Sequence, residues 1–150
     1  MSFRKRRHSV RAAIVLLMLT APAFAADVQY ATPLDPVAFD NSTVKDNVGS
    51  GRVTATLSGS TLTVTGDYSG MSNAATDAHL KMGTLSGTTG PVIGDLKVTG
   101  GTSGQISGTA KLNSAQLKIL KQGGISVVVN NSKAGPYGSL WGWLTAPAAQ

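Results

Sequence analysis

The chain of 150 residues contains no cysteine, and its seven acidic residues are all aspartate. Without thiolates there is no disulfide scaffold, zinc ribbon, iron–sulfur cluster, thiol nucleophile or cysteine-anchored lipid. Histidine is scarce as well. His8 lies in the opening segment, which leaves His79 as the one imidazole beyond it. A metal site or a Ser-His-Asp triad would have to be built on His79, with Asp77 or Asp95 to orient it, and no Gly-x-Ser-x-Gly elbow is present. The absence of Glu leaves Asp alone for carboxylate chemistry. These Asp residues are scattered through turns and strand ends, where Asp serves as a turn former, so paired-carboxylate hydrolysis has little to stand on.

Charge of one sign is missing over most of the chain. The formal net charge is +6, but Arg4, Lys5, Arg6, Arg7 and Arg11 supply five positive charges at the start, leaving eight Lys/Arg against seven Asp. With no basic stripe in the remainder, nucleic-acid binding is not expected. No apolar run reaches the roughly 20 residues that cross a bilayer, the longest being Ala12 to Leu19. That run follows the cationic stretch and precedes Ala23-Phe24-Ala25, the pattern of a secretory signal peptide over residues 1–25 with cleavage after Ala25. Arg6-Arg7 permits a twin-arginine route, but His8-Ser9-Val10 continues it poorly and favours general secretion. The expected product is exported, periplasmic or extracellular, with no membrane span. Packing alone must then stabilise it, and a chain of that size buries about two thirds of its unfolded surface.

Beyond the leader, strand and turn dominate. Residues 26–46, with Pro33 and Pro36, read as an extended lead-in whose Val37 and Phe39 pack on the domain edge. Val53, Ala55 and Leu57 alternate with Thr54, Thr56 and Ser58. Leu62 and Val64 alternate with Thr61, Thr63 and Thr65, and Gly59-Ser60 between the two runs suits a hairpin turn. In the next run Ala78, Leu80 and Met82 face one way and His79 and Lys81 the other. Val92 to Val98 and Gln105 to Leu112 read as further strands, separated by Gly100 to Gly104. That glycine-rich loop resembles a phosphate cradle only in composition, because no Gly-Lys-Ser/Thr follows. Asn113 or Ser114 can cap a short helix carrying Leu117 and Leu120, which Gly123 ends. Ile125 to Asn130 reads as a buried central strand. In Ser139 to Leu144, Leu140 and Leu144 share one face and Trp141 and Trp143 the other, and Thr145–Gln150 is expected to be a loose tail. Seven or eight short strands with frequent turns predict an all-β, Greek-key-like antiparallel β-sandwich, immunoglobulin-like or Cu/Zn superoxide-dismutase-like, with one short helix.

The ordered series Gly51-Arg52-Val53-Thr54-Ala55, Tyr68-Ser69-Gly70-Met71, Ala78-His79-Leu80-Lys81-Met82-Gly83, Gly90-Pro91-Val92, Leu120-Lys121-Gln122-Gly123 and Pro136-Tyr137-Gly138-Ser139-Leu140-Trp141-Gly142-Trp143-Leu144 resembles the chordin-domain (CHRD) family over residues 47–144. The resemblance implies a secreted Greek-key sandwich without an assigned activity in its bacterial members. The family's His-x-His strand and later Val-x-Val-His become His79-x-Lys81 and Asn130 here. Two histidines on one strand face and a third beside them would suit a metal, whereas a lysine opposes a cation.

These features point to an exported non-enzymatic binding or structural module with no cofactor. It is expected to contact an extracellular or cell-envelope protein or glycan through one sheet face. Trp141, Trp143 and Tyr137 are the candidate binding residues, because two aromatics two apart on a strand share a face. The alternative is a metal-dependent redox or hydrolytic enzyme on a dismutase-like scaffold, with His79 as ligand.

Overall fold

The computed structural model describes residues 26–37, 44–83, 90–135 and 137–147. The expected signal peptide, residues 1–25, and Phe39 lie outside the described residues. Eight strands and one helix follow in the order β1 (Val28–Pro36), β2 (Ser50–Ser58), β3 (Thr61–Ser69), β4 (Ala75–Met82), β5 (Val92–Val98), β6 (Gly104–Lys111), α1 (Ser114–Lys121), β7 (Ile125–Asn131) and β8 (Leu140–Trp143). All pairings are antiparallel.

The strands do not form the expected two-sheet sandwich. They close into one barrel in the order β1-β2-β3-β6-β5-β4-β7-β8, with β8 returning to β1. Two short seams carry the closure: Asp35 and Pro36 pair with Trp141 and Leu140, and Lys97 and Val98 pair with Ser107 and Ile106. Period-two alternation reports only that each strand buries one face, which sandwiches and barrels share. What separates the two architectures is pairing between distant segments, which leaves no local trace. The Greek-key connectivity is present within the barrel, since β3 to β4 passes over β6 and β5, and β6 to β7 passes over β5 and β4.

Strand β1 arises inside the extended lead-in. Tyr30, Thr32 and Leu34 are buried, in alternation with exposed Ala31, Pro33 and Asp35. Ala31 exchanges both backbone hydrogen bonds with Thr145, so residues of its parity turn their nitrogens away from β2. Pro33 has that parity and removes no donor from the β1–β2 ladder. The β2–β3 hairpin turns at Gly59-Ser60, with Ser58 opposite Thr61 and Gly59 at φ +61°.

The core follows the alternation read from the sequence. Val53, Leu62, Val64, Leu80, Ile106, Val127 and Leu140 are fully or almost fully buried, each from the inward parity of its strand. Helix α1 adds Leu120 to this core. Its Asn113 side chain accepts from the Gln116 backbone N–H while the Gln116 side chain accepts from the Asn113 N–H, a reciprocal capping box. At the other end, Gly123 at φ +73° donates to the Leu120 carbonyl and Gly124 donates to Ile119, which satisfies the last carbonyls.

Candidate functional site

Strand β8 sets the geometry of the candidate site. Leu140 and Leu144 are fully buried, so the intervening Trp141 and Trp143 turn outward, where each is half-buried. Their ring centroids lie 6.1 Å apart with the planes at 61°, an edge-to-face pair. Tyr137, in the turn that leads into β8, is 41% exposed. The three candidate binding residues therefore lie in or just before β8, and both Trp side chains lie on the outer face.

The neighbouring rows explain why the Trp pair is only half-buried. Val128 of β7 stands opposite Trp141 on one side and His79 on the other, and Ser126 stands between Trp143 and Lys81. Val128 and Ser126 have the outward parity yet are fully buried. The approach of Gly138 accounts for part of this cover. A Cβ on Gly138 would lie 2.3 Å from the Val128 Cγ1, so the turn before β8 rests directly on that side chain. The unbroken burial along Ile125–Val129 thus has two causes, with the barrel core on one side and an outer layer of Trp rings and turn on the other.

Two strands from Trp141 lies the second group of interest. His79 Nε2 is 2.8 Å from Asp77 Oδ1, and Nδ1 is 3.0 Å from Asp95 Oδ1. Asp77 is also bound by the side chains of Asn130 and Thr76. Burial alone would raise the Asp77 carboxyl, but the hydrogen bonds from Asn130 and Thr76 and the adjacent His79 ring hold it below the ordinary carboxylate value. The sequence identified His79 with Asp77 and Asp95. It missed Asn130 as the Asp77 partner, because that contact depends on the β4–β7 register, in which Asp77 stands opposite Asn130.

This arrangement does not gather a metal-ligand set. The carboxylates engage opposite nitrogens of one ring and do not converge on a common point. Among the described residues no group of three or more His, Cys, Asp or Glu is placed to hold a metal ion. Lys81 has the same outward parity as His79. The Gly100–Gly104 loop likewise turns carbonyls, not amides, to its neighbours: Gly100 accepts from the Tyr68 hydroxyl, Gly101 from Ala75 N–H and Thr102 from Met71 N–H. Among the described residues no helix is long and apolar enough to cross a membrane.

No curated protein and no solved structure matches the chain. A family model, described as the CHRD domain, matches residues 31–142, from within β1 to the second half of β8. The match covers most of the chain and takes in all eight strands, in agreement with the series of motifs between Gly51 and Leu144. The chain belongs to the CHRD domain family.

Proposed function

We propose that this CHRD domain is an exported, non-enzymatic binding or structural module. It contacts an extracellular or cell-envelope protein or glycan through the outer face of β8. The observation that carries this reading is the parity of that strand: Leu140 and Leu144 hold β8 in the core while Trp141 and Trp143 face outward. Large aromatics dominate contact energetics, because they bury much apolar area at a low cost in side-chain entropy. Tyr137, exposed in the turn before β8, is the third aromatic of the proposed surface. Export rests on the cationic stretch, short apolar run and Ala23-Phe24-Ala25 of the opening segment.

The test compares the wild-type protein with the Trp141→Ala/Trp143→Ala double variant. Each is incubated with envelope extract under crosslinking and with an immobilised glycan panel. Capture by the wild type that is lost in a folded double variant supports the reading. Capture of the same partner by both proteins removes the β8 face from consideration.

A further inference from the structure

We infer that His79 is a proton-operated latch, which in its charged form ties β5 to β4 and, through Asp77, to β7. The argument begins with donor counting. A neutral imidazole has one N–H and one bare nitrogen, whereas both His79 nitrogens face a carboxylate oxygen, at 2.8 Å and 3.0 Å. Only the imidazolium form donates to both. When the proton leaves, one carboxylate faces a lone pair and that contact turns repulsive.

The surroundings decide which contact gives way. Asp77 is anchored by Asn130 of β7 and by Thr76. Asp95 is 86% exposed and can turn to water. The remaining N–H therefore stays with Asp77, and the tie to β5 is the one released. Charged groups on this outer face are Asp77 and Lys81 on β4 and Asp95 and Lys97 on β5. The β7 residues alongside, Ser126, Val128 and Asn130, do not titrate.

The release matters because β5 is held laterally by two short ladders. Only Lys97 and Val98 pair with β6, and the β4–β5 ladder itself carries an irregularity between Leu80 and Lys81. Asp95 stands directly opposite His79 in that ladder, so the latch reinforces the strand next to the weaker seam. Protonation of one exterior ring thereby sets how firmly β5 is held to β4. The latch acts with or without a partner on the Trp face.

Amide hydrogen exchange across β5, corrected for intrinsic rates, tests this at about pH 5 and about pH 8, which bracket histidine titration and lie above the Asp range. An exposed ion pair contributes up to about 1 kcal/mol, so protection of β5 amides is expected to be about two- to fivefold higher at the lower pH. In Asp95→Asn and in His79→Asn the pH difference is expected to vanish, while Lys97→Ala keeps it. Equal wild-type protection at both pH values, or a full difference retained in Asp95→Asn, overturns the latch.

Discussion

Barrel closure can be tested at one glycine. Gly142 stands on the inward parity of β8, where that strand meets β1. A Cβ built there would lie 2.2 Å from the Pro33 carbonyl oxygen and 2.6 Å from Thr32 Oγ1. Ordinary contact begins near 3.4 Å, so Gly142→Ala forces β8 and β1 apart by about an ångström at a seam only two residue pairs long. Overpacking of this kind costs about 1–3 kcal/mol. For a domain of this size that is a fall of roughly 3 to 15 °C in the unfolding midpoint. Gly135→Ala is the control, because nothing lies within 4 Å of its Cβ. The assay is thermal unfolding by circular dichroism, with amide exchange at Val37 N–H, which donates to Ser139 across the same junction. A Gly142→Ala midpoint equal to that of Gly135→Ala, with Val37 still protected, would refute the close approach of β8 and β1.

Other expectations concern the helix and two titrating groups. Asn113→Ala removes the side-chain acceptor for the Gln116 N–H, one half of the capping box, and should cost about 1 kcal/mol in denaturant unfolding, with Asn113→Asp retaining most of the stability. The Asp77 carboxyl is held below its ordinary value, so the stability it contributes is present above the ordinary carboxylate range and is lost as pH falls through its folded value. The acid limb of the stability profile should therefore be shallower in Asp77→Asn. Burial pushes the Tyr30 phenol above 10.0, so its stability contribution is present below the ordinary phenol value and is lost as pH rises. In Tyr30→Phe the alkaline fall in stability should be shallower, and ultraviolet titration of the wild type should show a late phenol ionisation that Tyr30→Phe removes.

Most local structure was legible because its causes are local. Val53-Ala55-Leu57 and Leu62-Val64 flank a glycine turn, and the structure pairs them as β2 and β3. Asn113, Leu120 and Gly123 mark a helix at its cap, its buried face and its end, and each takes that role. Alternation along Leu140 to Leu144 placed both Trp residues on one face. Closure was not legible, since Asp35 meets Trp141 and Lys97 meets Ser107 through pairings without local signature. Strand β1 was obscured by two prolines and by a threonine, Thr32, at a buried position between Tyr30 and Leu34. At the His79 cluster the two aspartates were visible as candidates because Asp77 shares its strand face and Asp95 lies on a nearby strand. Asn130 was visible only as a departure from the family pattern, and its hydrogen bond to Asp77 joins residues far apart in sequence.

The measurement that bears most directly on the central claim is a paired comparison on β8. Trp141→Ala/Trp143→Ala is set against Leu140→Ala/Leu144→Ala by thermal unfolding, with partner capture measured on whatever remains folded. Because the leucines are fully buried, each truncation costs about 2–5 kcal/mol, and the leucine variant should fail to fold. The tryptophan variant should unfold cooperatively, at a lowered midpoint, and no longer capture the partner. A tryptophan variant that fails to fold beside a leucine variant that folds would contradict the outward face on which the account rests.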